Sequence, residues 1–379
     1  MTPVRIVHLS TLHAARDVRI FHKECRTLSA AGYEVHLVVR KPPDETQEGV
    51  RFHAIESPDE GRVRRMAARL RGAYRLARGL RADLYHFHDP ELIPIGLLLK
   101  RHSARVIYDV HEDAPREALT LNKRRRIEGA VKFLVWEILE WIARRMLDGF
   151  VCATPSIARR FPPERTIVVR NVPRLDEFLS AEGGTEAALP LERERTAIYA
   201  GGITEVRGIR EMVAAMARVP AELGVRLALL GTFLPSSLEE TLSHQPGWDR
   251  VDVLGWQTRD EVVRYLQRAR VGLLLFHPKP DHLEALPNKL FEYMAAGLPI
   301  VASAFPLWRE IITLCRCGVL VDPLDANAIA EAVTRLIEHP EEAERMGKAG
   351  RIAVQERYNW EAEAGQLVDL YERLLHEDH

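Results

Sequence analysis

A chain of 379 residues is too long for one ordinary hydrophobic core and suits two domains of ~150–200 residues each. Its 46% hydrophobic and 28% charged residues read as globular, which excludes a disordered or low-complexity chain. The net charge of −1 hides an asymmetry: residues 1–180 hold 32 lysines and arginines against 23 acids, and the remainder holds 21 against 31, as expected of two domains with different partners.

The chain opens directly on a strand pattern, MTPVRIVHLS, without the basic region, apolar run and cleavage site of a signal peptide. No stretch approaches ~18 uninterrupted apolar residues, so a cytoplasmic protein is expected. Strands are predicted at residues 4–9, 34–39, 51–55, 84–88, 105–110, 150–153 and 166–170, with helices at 17–31, 62–81, 91–100 and 127–147. Residues 171–196 are irregular, with Gly183-Gly184 and many charges. Strands resume at 197–200, 226–230, 251–254, 271–276, 299–302 and 318–321, and three helical stretches close the chain near 326–338, 341–357 and 360–375. The alternation predicts two doubly wound α/β domains in series, each on a parallel sheet covered on both faces. The expected boundaries are an acceptor domain at 1–175, a linker at 176–195, a donor domain at 196–358, and a last helix at 359–379 returning to the first domain. Four cysteines lack disulfide or zinc spacing and read as reduced thiols.

In such sheets ligands bind beyond the carboxyl ends of the strands. In the first domain those ends carry Ser10, His88-Asp89 and His111-Glu112-Asp113. In the second they carry Gly201-Gly202, Gly231, Gly255 and His277-Pro278, where glycines let a ligand approach the backbone. Gly201-Gly202 precedes a helix start near Gly208, so backbone N–H groups and Arg207 could hold a diphosphate, or the segment could be an ordinary turn. There is no G-x-G-x-x-G after the first strand and no G-x-x-x-x-G-K-[ST]. The segment from His282 to Pro299 reads HLEALPNKLFEYMAAGLP. Pro287 suits a first helical turn and Gly297 a stop, which puts Glu284 in the loop before the helix and Glu292 inside it. Two glutamates so placed could accept from vicinal hydroxyls while amides between them take phosphate, or could be ordinary helix acids.

Several segments together resemble one family. LPNKLFEYMAAGLPIVAS, with its E-x7-E spacing, is similar to the donor-site helix of retaining glycosyltransferases of the GT-B fold, family four (glycosyl transferases group 1). AIYAGGITEVRGIREMV, GVLVDP and YNWEAEAGQLVDLYERLL resemble the rest of its second domain; DVRIFHKECRTLSAAGYEVHLVV, LYHFHDPEL and VIYDVHED resemble its acceptor domain. The resemblance implies two Rossmann-like domains facing a central cleft and a nucleoside-diphosphate sugar as donor. Carried over, Glu292 would take the ribose hydroxyls, Glu284 the transferred sugar, and the amides of Ala285, Leu286, Pro287 and Asn288 the sugar and diphosphate. The loop at Gly255-Trp256 would hold the base through backbone atoms, Gly231 would belong to the donor site, and His111 would stand at the reaction centre. Many members place an Arg just after the first glycine and a Lys further on; here those positions are Gly202 and Gly208, leaving Arg207 and Lys289 as nearby cations. The resemblance also implies front-face attack with the leaving phosphate taking the acceptor proton. No D-x-D is present, so no metal and no cofactor is expected, the charge being met by cations and helix dipole.

His88 and Asp89 could position the acceptor, or His88 could bond to loop backbone. His13, Asp17 and Arg19 could line the acceptor pocket, or serve as a cap and solvated face. Eight arginines between 62 and 81, and Lys123-Arg124-Arg125-Arg126 before the helix at 127–147, suggest peripheral contact with an anionic membrane bearing a lipid-linked acceptor, or a solvated face. That helix is expected to bury Ile127, Val131, Leu134, Ile138 and Ile142 and to turn Phe133 and Trp136 outward. The expected function is transfer of a sugar to a hydroxyl acceptor in polysaccharide, glycolipid or glycoconjugate synthesis. A sugar-nucleotide epimerase and a non-catalytic nucleotide-sugar-binding protein are the alternatives. Nucleic-acid binding rests only on the arginines and is not expected.

Overall fold

A computed structural model describes residues 3–43, 45–56, 62–102, 104–119, 126–179 and 193–376. The chain divides into two compact units, one of Met1–Asn171 with Glu361–His379, the other of Val172–Trp360.

Unit 1 is built on β1 (Arg5–Leu9), β2 (Glu34–Val39), β3 (Val50–Ala54), β4 (Leu84–Phe87), β5 (Arg105–Val110), β6 (Gly149–Cys152) and β7 (Thr166–Val168). They form a seven-stranded parallel sheet ordered β3-β2-β1-β4-β5-β6-β7. The central strands are buried on both faces, which is why they read as continuous apolar runs rather than alternating ones. The order reverses between β1 and β4, so their carboxyl ends, Ser10 and His88-Asp89, border the crevice where α/β sheets take ligands. The helix Trp360–His376 belongs to this unit: Leu367, Leu370, Tyr371 and Leu374 are buried, and Arg170 Nε donates to buried Glu363 at 2.7 Å.

Unit 2 is built on β8 (Thr196–Ala200), β9 (Arg226–Leu230), β10 (Val251–Gly255), β11 (Val271–Leu274), β12 (Ile300–Ser303) and β13 (Gly318–Val321). Its six-stranded parallel sheet runs β10-β9-β8-β11-β12-β13, with the reversal between β8 and β11. The helix Asn288–Ala295 drops Leu290, Phe291, Tyr293 and Met294 into the core. Pro287 caps it, one place earlier than expected, because its ψ of 137° keeps it outside the helix. Gly297, at φ +66°, ends it with Leu298 N donating to Tyr293 O, a closure that a residue with a Cβ makes only under strain. The helix Leu175–Leu179 lies in the segment anticipated as a linker and belongs to unit 2; most of the rest of that segment lies outside the described residues.

One helix is turned over relative to expectation. In Arg126–Met146 the predicted inner stripe faces outward: Ile127 is 83% exposed, and Val131, Leu134 and Ile138 are also exposed. Gly129, Glu140 and Ala143 are buried instead, with Phe133 and Trp136 half-buried. Both faces of this helix are apolar, so periodicity gave a face but not which one packs. The packed face carries Glu140, which burial pushes up to about 7 against the pull of Arg160, whose Nη2 donates to it at 2.7 Å. Lys123-Arg124-Arg125 lies outside the described residues. No described helix is long and apolar enough to cross a membrane. Cys25, Cys152, Cys315 and Cys317 are free thiols.

Candidate functional site

In unit 2 three glycine-bearing strand ends lie edge to edge. Gly201 N donates to Leu230 O at 2.7 Å, and Gly231 N to Gly255 O at 2.7 Å. Gly201 and Gly231 have φ of +127° and +141°, and a Cβ on Gly231 would lie 2.0 Å from Gly201 O. Glycine is therefore required for the backbones to pass this closely. Lys289, in the first turn of the helix Asn288–Ala295, reaches back over Gly201, where a Cβ would meet its Cε and Nζ at 2.5 Å. Its ammonium stands 5.4 Å from the centre of the Tyr199 ring. Arg207 Nη1 donates to Gly202 O at 3.1 Å, and its guanidinium lies 5.6 Å from the Phe276 ring centre. Burial, with Arg207 close by, lowers the Lys289 ammonium to about 8 even though Glu292 works the other way. The two cations singled out from sequence thus meet at one glycine turn.

The glutamates stand as the spacing implied: Glu284 exposed, just after the short helix Pro280–Leu283, and Glu292 well inside the next helix and nearly buried. The loop between them is anchored by Trp308 Nε1, which donates to Ala285 O at 2.7 Å. Not all of its amides are available. Ala285 N donates to His282 O at 3.3 Å, and Pro287 has no N–H, so the donors left for a ligand are those of Leu286, Asn288 and Lys289 at the helix start. Trp256, beyond Gly255, is 75% exposed and offers a flat apolar ring at the end of β10.

Sequence reasoning missed Arg259. It opens the helix Arg259–Arg268, set by a capping box between Thr258 and Glu261, and its Nη1 donates to Glu292 Oε1 at 2.7 Å. The same guanidinium grips Glu177 at 2.7 Å and 2.9 Å. Burial opposes its charge, but Glu292 and Glu177 together raise its basicity, so it stays a cation and fixes one oxygen of Glu292. The helix-start pattern T-R-D-E was readable; the partnership of Arg259 with residues 33 and 82 positions away was not.

Unit 1 gathers most of its predicted residues at the β1/β4 reversal, in two layers. The outer layer is His13 and His111, with ring centres 4.9 Å apart and both partly exposed. The inner layer holds them. Buried Asp89 lies 3.0 Å from His13 Nδ1 and accepts from Thr11 N and Ser10 Oγ. Although burial opposes it, hydrogen bonds from His13 and Thr11 keep this carboxylate below its ordinary range, and it in turn raises His13. Ser10, His13 and Asp89 are not a nucleophilic triad, since Ser10 Oγ and Asp89 address the same imidazole nitrogen. Buried Asp109 lies 3.0 Å from His111 Nε2 and 3.2 Å from His88 Nδ1. Burial pushes His88 down to about 4, so its ring is neutral.

Four predicted acceptor residues are corrected by this arrangement. Arg19 is buried and spends its guanidinium on Asp109 at 2.8 Å and 2.9 Å and on Val169 O at 2.7 Å. Asp17 caps the following turn through Arg19 N and Ile20 N. Asp89 and His88 are buried supports. A single polar residue at a strand end reads the same from sequence whether it meets ligand or holds its neighbour, and here the buried partners decide. A cavity of about 1040 Å³ lined by unit 1 opens at the opposite strand ends beside Val4, Asp83 and Arg105, away from these histidines.

Residues 185–353 match the family described as Glycosyl transferases group 1, and residues 18–172 match a Glycosyl transferase 4-like domain. The MMP alpha-(1->4)-mannosyltransferase of Mycolicibacterium hassiacum is 27% identical over 322 residues, 80% of this chain and 74% of that protein. The glycogen synthase of Mycobacterium tuberculosis is 25% identical over 391 residues, 93% of this chain and 90% of that protein. Among solved structures, sucrose-phosphate synthase from Thermosynechococcus elongatus aligns with a TM-score of 0.78 at 22% identity, covering 99% of this chain and 100% of the other. Anabaena HepE in complex with UDP and glucose aligns at 0.73 with 13% identity, covering 97% and 99%. With both units matched and the fold shared, the chain belongs to the group 1 glycosyltransferases, enzymes of the GT-B fold.

Proposed function

We propose that this enzyme moves a sugar, with retention, from a nucleoside-diphosphate sugar held by unit 2 to a hydroxyl acceptor held by unit 1, in the synthesis of a polysaccharide, glycolipid or related glycoconjugate. The observation that carries the reading is the convergence of Lys289 and Arg207 on the Gly201-Gly202 turn, at the start of the helix that bears Glu292. Two cations and unpaired amides suit a diphosphate leaving group without calling for a metal there. Glu292, with one oxygen fixed by Arg259, suits a pair of vicinal ribose hydroxyls. The names of the similar proteins, a mannosyltransferase and several synthases, fit transfer to an acceptor rather than epimerisation.

The test is binding. A thermal-shift panel of UDP-, GDP-, dTDP- and ADP-sugars should show stabilisation by one base class, because a ligand of the native state raises its melting temperature. Glu292→Ala should raise the Kd for the preferred nucleotide about 10- to 100-fold, the worth of hydrogen bonds to a charged group. An unchanged Kd would remove Glu292 from the donor site. Donor turnover without any acceptor would instead favour an epimerase.

Peripheral membrane contact is a further part of the proposal. The outward stripe of the helix Arg126–Met146, with Trp141 exposed under Arg145 at 3.7 Å, is an apolar face rimmed by basic groups. The enzyme should co-sediment with vesicles containing anionic lipid. Leu134→Glu with Ile138→Glu should reduce that partition at least about 10-fold, each buried aliphatic being worth ~1.5–3 kcal/mol. Wild-type protein left in the supernatant at low salt would end this part of the reading.

A further inference from the structure

Beneath His88 and Asp109 lies a cluster that the transfer reaction leaves unused. His8 and His86 face each other in register on β1 and β4, and His88 follows just past the end of β4. Against them packs the turn Ile20–Cys25, whose wide i to i−5 bonds, such as Glu24 N to Arg19 O at 3.0 Å, present the Glu24 side chain. All four side chains are buried, and one ligand atom from each lies within 4.8 Å of the others.

The hydrogen bonds sort the nitrogens into outer and inner ones. His86 Nδ1 bonds Tyr371 Oη at 2.5 Å, His8 Nε2 lies 3.3 Å from the same oxygen, and His88 Nδ1 lies 3.2 Å from Asp109. What remains turned inward is His8 Nδ1, His86 Nε2 and His88 Nε2. His86 Nε2 has no hydrogen-bond partner, and neither has either oxygen of Glu24, although Arg19 Nε lies 3.0 Å from one of them. Metal-binding imidazoles characteristically have the far nitrogen held by a carboxylate or other polar group, which fixes the ring and its tautomer.

We propose that His8, His86, His88 and Glu24 form a closed structural site for a divalent transition metal ion, zinc above all. Three imidazoles and one carboxylate match zinc's ligand preference and four-coordinate count, and full burial leaves no open position for catalysis at the ion. His8 Nδ1 and His88 Nε2 now stand 2.9 Å apart with one proton between them. Tetrahedral zinc at ~2.0–2.1 Å from each nitrogen needs them roughly 3.3 Å apart, so the pair must part by a few tenths of an ångström. Binding also moves the His8 proton to Nε2, toward Tyr371, and takes Glu24 as its carboxylate. A network of protein groups alone leaves His86 Nε2 buried without a hydrogen bond, which is costly, while Glu24 keeps its ion pair with Arg19 and its contact with Asp109. Through His88 and Asp109 the ion would stiffen the support of His111 while touching no substrate.

The test uses the full chain, expressed with added zinc and desalted against a mild chelator. It should retain about one zinc per chain by elemental analysis. Cobalt(II) in its place should give the intense visible bands of a four-coordinate ion without thiolate charge transfer. His86→Ala and Glu24→Gln should each lose the retained metal, whereas a Cys315→Ser, Cys317→Ser protein should keep it. Circular dichroism and the cooperative thermal unfolding of the full chain report whether each variant is folded. If His86→Ala does not fold, Glu24→Gln and the wild-type cobalt spectrum decide. Wild-type protein without retained metal, a six-coordinate or thiolate cobalt spectrum, or undiminished zinc in folded Glu24→Gln overturns the proposal.

Discussion

Lys289→Ala is expected to lower kcat about 100- to 1,000-fold, the usual effect of deleting one preorganised group from a site of developing negative charge. Lys289 is the cation most constrained by the fold. Its stem lies over a glycine that could not carry a Cβ, and its ammonium is brought beside Arg207 at the Gly201-Gly202 turn. Two like charges gathered at one glycine turn suit an anion. Their repulsion and burial place the Lys289 ammonium at about 8, which gives the prediction a pH signature. A bound diphosphate favours the protonated form. Nucleotide affinity should therefore be constant below about pH 8 and fall above it by up to about tenfold per pH unit, as the free enzyme must take up a proton to bind. Titration calorimetry across that range should show the fall, and Lys289→Met should abolish it along with most of the affinity. Lys289→Arg is not a conservative control, because the fork is larger than the space over Gly201. A wild-type Kd that ignores pH from about 7 to 9.5 would mean that Lys289 does not meet the diphosphate.

Much of this architecture is legible because parallel strands buried on both faces leave unmistakable apolar runs, and because Gly297 ends its helix by a local rule. The glycine turn, the glutamates and the two cations are short-range features of one segment pattern, and each stands where the sequence put it. What stayed illegible depends on partners far along the chain. Arg19 read as a pocket residue because nothing local announces Asp109, 90 positions on, which buries it. The helix Arg126–Met146 read inside out because its packed face includes a glutamate, Glu140, whose partner Arg160 comes 20 positions later. Arg259 and Tyr371 were invisible for the same cause: a cation or phenol acquires meaning only from what the fold brings to it.

His111→Ala should leave the nucleotide Kd within about twofold of wild type and lower kcat about 100-fold or more, the scale of a lost positioned polar group at a reacting centre. The separation follows from where the groups lie. Every nucleotide contact proposed here comes from unit 2, whereas His111 belongs to unit 1 and is held from beneath by Asp109 at 3.0 Å. Asp109 is itself fixed: Arg19 and His111 overcome its burial and keep it ionised well below the usual carboxylate range. An ionised acceptor at that distance holds the imidazole by its Nε2 side and fixes the ring's direction. A ring held in this way can meet a sugar hydroxyl in one geometry only, the role that the family resemblance implies for it. His111→Asn keeps a donor for Asp109 but shortens the reach, so it should restore stability without restoring turnover. Removing Asp109 is a poorer test, since Arg19 would be left as a buried unpaired charge and the fold would suffer first. Turnover in His111→Ala equal to wild type at saturating donor and acceptor would show that the ring stands outside the reaction. A loss of nucleotide affinity as large as the loss of kcat would show that its role is structural.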